Sequence, residues 1–157
     1  MIALRPTLVD LVSLAGGASD AVIAKALDDA GFPGLRVRHG YVFQRLLVAP
    51  TTITDLARSL GVTQQAMSKT IAELTSLGYV EASVDSSDAR RRTLALSERG
   101  REAIEAARTS RARLEKAVRT AVGDDRLAAA HQTLEALLAE LGIGEQIRSR
   151  SVPDPSG

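Results

Sequence analysis

Residues 52–71 read TITDLARSLGVTQQAMSKTI, and the fold is decided there. Thr52 and Asp55 resemble a capping box: the hydroxyl accepts a free helix N–H, and the carboxylate sits at the positive helix end. The short helix they begin stops at Gly61, a residue free to take positive φ. A second helix follows over 64–77, capped by Thr63 and closed by Gly78. Leu56, Leu60, Val62 and Met67 are apolar where the two helices must pack, and Ala57 is small where they cross. Ile71, Leu74 and Leu77 extend the buried stripe of the second helix. Thr70 stands where an aliphatic is usual, and Ile71 is expected to take over its packing role. The pattern fits a helix-turn-helix. Any two amphipathic helices joined by a glycine turn resemble it, so the flanking sequence must add weight.

That weight comes from the segment that follows. Tyr79 to Val84 alternates as a strand, Asp85-Ser86-Ser87-Asp88 is a polar turn, and Arg92 to Leu96 is the returning strand of a hairpin. Upstream, residues 7–30 carry apolar side chains at helical spacing, with Gly16-Gly17 expected to kink or break the helix. Gly31 to Gly34 is a turn, and a helix over 35–47 ends before Pro50. Downstream, Ser97 caps a long helix to about 122, Gly123-Asp124 breaks it, and a last helix reaches Leu141. Residues 143–157 hold Pro153 and Pro155 without periodicity and read as a mobile tail.

The expected chain is therefore a single domain over 1–157. It is mainly α, with a small β-hairpin wing. A winged-helix lobe over 35–100 is flanked by helices at 1–34 and 101–142.

Composition narrows the chemistry. Residues 36–96 hold eight Arg or Lys against five Asp or Glu, whereas residues 1–35 hold two against four. The basic surplus thus lies in the middle of the chain, where nucleic acid is its commonest reason. Zero cysteines remove a disulfide framework, a thiolate zinc site and a thiol redox sensor. With His39 and His131 as the only histidines, no metal-ligand spacing emerges. No cofactor is expected. No apolar run approaches the roughly 20 residues of a membrane span, and the start lacks the pattern of a secretory signal. These features predict a cytoplasmic protein without membrane partners. No Ser/His/Asp arrangement or phosphate-cradling glycine loop suggests an enzyme. Four aromatics, Phe32, Tyr41, Phe43 and Tyr79, leave little for unstacked RNA bases to stack on.

Double-stranded DNA is the partner these residues suit. An α-helix fits the major groove, and its N-terminal side chains reach base edges. Gln64, Gln65, Ser68 and Lys69 lie on the expected exposed face. Gln can pair with adenine, Ser is adaptable, and Lys can reach guanine or phosphate. Thr63 opens that helix, whose free N–H groups can meet a phosphate. Arg90, Arg91 and Arg92 sit at the hairpin tip and return strand, where Arg90 can enter a narrow minor groove. Asp88 is expected to pair with a wing arginine and fix the tip.

The stretch from about 35 to 104 resembles the MarR (multiple antibiotic resistance regulator) family of winged-helix repressors. The wing GYVEASVDSSDARRRTLALSERGREAI carries the resemblance through Asp85, Asp88, Arg90, Leu94, Leu96, Ser97 and Gly100, with Ser97 in place of the usual Thr. The resemblance implies a transcriptional regulator that binds a palindromic operator as a two-fold homodimer, its terminal helices interleaved. The apolar stripes Ile104, Ala107, Leu114, Val118, Val122 and Leu127, Ala130, Leu134, Leu137, Leu138, Leu141 would supply that interface. The resemblance also implies a crevice for a small-molecule effector, lined from helix 35–47 by Arg38, His39, Tyr41, Phe43 and Arg45. Taken from the residues alone, Phe43 is expected in the core. The alternative function is a winged-helix module that binds protein instead of DNA, a class that tends to lose its basic wing and polar recognition face.

Overall fold

The computed structural model describes residues 5–84 and 92–142. The elements run α1 (Leu8–Asp29), α2 (Val37–Val48), α3 (Ile53–Leu60), α4 (Gln64–Ser76), β1 (Val80–Val84), β2 (Arg92–Leu96), α5 (Glu98–Val122) and α6 (Asp124–Glu140). The chain divides into two compact units, Met1–Ser110 and Arg111–Gly157. The division falls inside α5. The reason is packing: Gly100, Ala103, Ile104 and Ser110 on the first turns of α5 are all buried.

In the first unit, α2 contributes Val42, Phe43 and Leu46 to a core shared with Leu56 and Ala57 of α3 and with Met67, Ile71 and Leu74 of α4. Tyr79, Val80, Leu94 and Leu96 of the hairpin and Ala103 and Ile104 of α5 complete it. β1 and β2 pair antiparallel, Val80 opposite Leu96 and Val84 opposite Arg92. A bridge that the sequence did not suggest joins the hairpin to the start of α3. Thr51 donates its N–H to the Leu94 carbonyl at 3.2 Å and accepts the Leu94 N–H at 2.7 Å.

Local chemistry sets the helix ends. Thr52 Oγ1 accepts the Asp55 N–H at 3.2 Å and donates to the Asp55 carboxylate at 2.8 Å. Gly61 ends α3 in the left-handed region at φ 66°, where a side chain would be strained. Ser97 donates to the Gly78 carbonyl at 2.6 Å and accepts the Gly100 N–H at 3.0 Å, so one hydroxyl links the end of α4 to the start of α5.

Two sequence expectations need correction. Gly16-Gly17 does not break α1, which continues from Leu8 to Asp29. Glycine weakens a helix by roughly 1 kcal/mol relative to alanine, but it can still adopt helical φ and ψ. Here Thr7 and Asp10 form a full capping box at the N-terminus, and Lys25 pairs with Asp29 at 2.6 Å near the C-terminus. Val62 does not pack between α3 and α4. Its N–H bonds the Ala57 carbonyl at 3.1 Å to close α3, and its side chain is 45% exposed. Ile71 does replace Thr70 in the core, while the Thr70 hydroxyl donates to the Ala66 carbonyl.

The second unit holds the end of α5 and α6. Arg119 bridges the junction, donating to Glu115 at 2.9 Å and to Asp124 at 2.8 Å across Gly123. Among the described residues no helix is long and apolar enough to cross a membrane. No cluster of three His, Cys, Asp or Glu that could hold a metal occurs among them either.

Candidate nucleic-acid interface

The N-terminal half of α4 is amphipathic in the sense its sequence requires. Met67, Ile71 and Leu74 are buried, whereas Gln64, Gln65 and Lys69 are exposed and Ser68 is half-buried. Thr63 Oγ1 accepts the Ala66 N–H at 3.2 Å, so the hydroxyl fixes the first turn while other N–H groups there remain for an anion. The structure therefore brings Thr63, Gln64, Gln65, Ser68 and Lys69 together at one helix end. Burial of the opposite face, together with the left-handed turn at Gly61, presents that end outward.

The hairpin begins two residues past Gly78, so the wing springs directly from the end of this helix. Asp85, Asp88, Arg90 and Arg91 lie outside the described residues, as do the residues of the expected tail, 143–157. Arg92 opens β2.

The five α2 side chains expected around an effector do not share one face. Phe43 is buried and tilted against Tyr79, ring centroids 6.2 Å apart. Tyr41 is exposed and Arg45 half-buried. His39 is only 1% exposed. Its Nδ1 accepts the Arg36 N–H at 3.2 Å, capping the first turn of α2 in the manner of a capping-box residue. Its Nε2 lies 3.5 Å from the Arg38 Nε and 3.7 Å from a Glu73 carboxylate oxygen. Burial holds the His39 pKa below the ordinary histidine value, the Arg38 and Arg36 charges add to that, and only Glu73 opposes it.

Glu73 is a residue that sequence reasoning passed over. It lies on α4, yet Arg36 reaches it at 3.2 Å and Arg38 at 3.1 Å from the start of α2. No short-range spacing could have announced it, since the partners are 35 or more positions apart. The one clue was an acid on an otherwise neutral or basic helix face. Arg99 was also missed. Its guanidinium lies over the Phe32 ring at 5.5 Å and the Tyr79 ring at 5.1 Å and donates to the Gly31 carbonyl at 2.8 Å. Together with the Tyr79 hydroxyl, which donates to the Pro33 carbonyl at 2.9 Å, it fastens the α1–α2 turn to the lobe.

A short helix, a left-handed turn, an outward polar helix and an antiparallel hairpin, all on one core, define a winged helix-turn-helix protein. Residues 34–91 match the model of the MarR family. The fold resembles that of the reduced form of MarR from E. coli, at 19% identity and a TM-score of 0.65, over 85% of this chain and 98% of that one. It also resembles a mutant of MepR from S. aureus bound to an oligodeoxyribonucleotide, at 18% identity and a TM-score of 0.62, over 87% and 99%. A MarR-family transcriptional regulator from Rhodococcus sp. RHA1 is similar at 23% identity and a TM-score of 0.56, over 85% and 97%. No curated protein matches the chain. The MarR-family resemblance read from the sequence is thus borne out over residues 34–91 and, in fold, over most of the chain.

Proposed function

We propose that the protein is a sequence-specific, double-stranded DNA-binding transcriptional regulator. In this reading it acts as a homodimer on a palindromic operator, as a repressor, with half-sites about 10 bp apart. The observation that carries the reading is the outward face of α4, with Gln64, Gln65 and Lys69 exposed at its N-terminal half. Gln65 reads base edges and Lys69 reaches guanine or phosphate. Arg90 to Arg92 serve the adjacent minor groove and backbone, with Asp88 as their structural partner. A small-molecule effector, bound along the side of α2 that carries Arg38, Tyr41 and Arg45, would release the operator. The match of residues 34–91 to the family supports the DNA-binding regulator reading.

Selection of bound duplexes from a random pool tests operator symmetry and spacing at once. With the selected duplex, Arg90→Ala should weaken binding to most sequences, whereas Gln65→Ala should change which sequence is preferred. Equal retention of both variants on the same operator would refute the site assignment.

A further inference from the structure

We infer that Arg36 and Arg38 form a second contact site for duplex DNA phosphates, beside α4, and that Glu73 holds them there in the free protein. The inference rests on the DNA-binding reading above.

Two guanidinium groups share one carboxylate, Arg36 on one oxygen and Arg38 on the other. The cluster therefore carries one positive charge in excess. The arginine side chains are 60% and 55% exposed against 29% for Glu73, so the cations lie outermost. Exposed pairs of this kind are weak, and a guanidinium matches a phosphate at least as well as a carboxylate. Glu73 stands one helical turn beyond Lys69 and two beyond Gln65 on α4, so all three lie along one side of the helix. Left alone, an acid at that position would repel the DNA backbone. With both arginines on it, the strip that begins at Gln65 ends in a positive patch. Buried His39 caps the turn that carries the pair, fixing where the arginines stand.

The test uses the full chain and a random-sequence duplex of about 30 bp, titrated at several salt concentrations. Each phosphate contact contributes about 0.9 to the slope of log affinity against log salt. Arg36→Gln/Arg38→Gln should lower that slope by about two. The loss of affinity between about 50 and 200 mM salt then becomes roughly tenfold smaller. Arg36→Lys/Arg38→Lys should keep the slope. Glu73→Gln should tighten duplex binding by roughly two- to fivefold, the worth of an exposed pair.

An unchanged slope in Arg36→Gln/Arg38→Gln, with wild-type binding intact, would overturn the site. So would a Glu73→Gln variant that binds the duplex no more tightly than the wild type, since the carboxylate would then not compete with phosphate for the arginines. Inorganic phosphate alone should not protect the protein thermally; strong protection would assign the pair to a free anion and overturn the duplex site. Failure of the wild type to bind any duplex is a different result, because it removes the DNA-binding reading itself.

Discussion

At the residue scale, the tightest constraint is Gly100. A Cβ there would stand 2.2 Å from the Tyr79 carbonyl oxygen and 3.2 Å from a Leu96 methyl. The same carbonyl accepts the Ser97 N–H at 3.1 Å, so the backbone cannot simply retreat. Gly100→Ala should lower stability by about 3 kcal/mol, the upper range for overpacking, as read by denaturant unfolding. Gly40, a helical glycine with nothing within 4 Å of its Cβ position, is the control. Gly40→Ala should be neutral or slightly stabilising. A comparable loss in both variants would show that a cause other than the Tyr79 carbonyl governs Gly100. His39 makes a second prediction at this scale. Its pKa is held below the ordinary 6.5, chiefly by burial. The unfolded chain therefore binds a proton more readily than the folded one. Stability should be fully present above about pH 6.5 and should fall as pH drops below it towards the folded pKa. His39→Gln should lower stability at neutral pH, because the Arg36 N–H is less well capped, and should flatten this acid limb. Thermal melts across pH 5 to 8 check both, and an acid limb unchanged in the variant would place its origin elsewhere.

At the element scale, the helix-turn-helix and the hairpin strands were legible because their signals are local. Caps at Thr52, Thr63 and Ser97, left-handed glycines at 61 and 78, and apolar periodicity all act within one or two turns. Gln64, Gln65 and Lys69 were legible for the same reason, since period alone puts them opposite Met67, Ile71 and Leu74. Contacts closed by tertiary packing were not legible. Glu73 meets Arg38 35 positions away, Arg99 meets Gly31 at 68, and Thr51 bridges Leu94. Val62 failed in the opposite direction, because a turn of one residue more or less decides whether an apolar side chain faces in. The glycine pair in α1 tests how far local propensity decides an element. Neither Gly16 nor Gly17 has a positive φ or an atom within 4 Å of its Cβ position. Replacing each by alanine should strengthen the helix by about 1 kcal/mol, measured as a rise in the unfolding midpoint. A loss of stability instead would mean that something outside this chain approaches those two backbones closely.

At the scale of the whole molecule, the apolar surface left uncovered is the informative quantity. α1 exposes Leu8, Leu11, Val12 and Val22 at helical spacing, and α6 exposes Leu134, with Leu141 exposed just past its end. Scattered exposed leucines are ordinary, but a stripe along one helix marks a contact surface. Leu14 is 69% exposed within the same helix, so covering one face leaves other apolar side chains in water unless the partner wraps α1. The proposed homodimer provides such a partner, and its two-fold axis would pair the two α4 ends for a palindrome. Charges placed in the stripe separate this reading from a monomeric regulator. Leu11→Glu with Val22→Glu should turn the dimer into a monomer in sedimentation, because two buried carboxylates in each subunit would lack partners. The monomer should keep the fold of residues 34–110 by circular dichroism, since neither side chain belongs to the lobe core. Binding to a full palindrome should then fall towards that of a half-site. A wild type that sediments as a monomer at micromolar concentration, or a variant that stays dimeric, would remove α1 from the interface and leave its apolar face to some other partner.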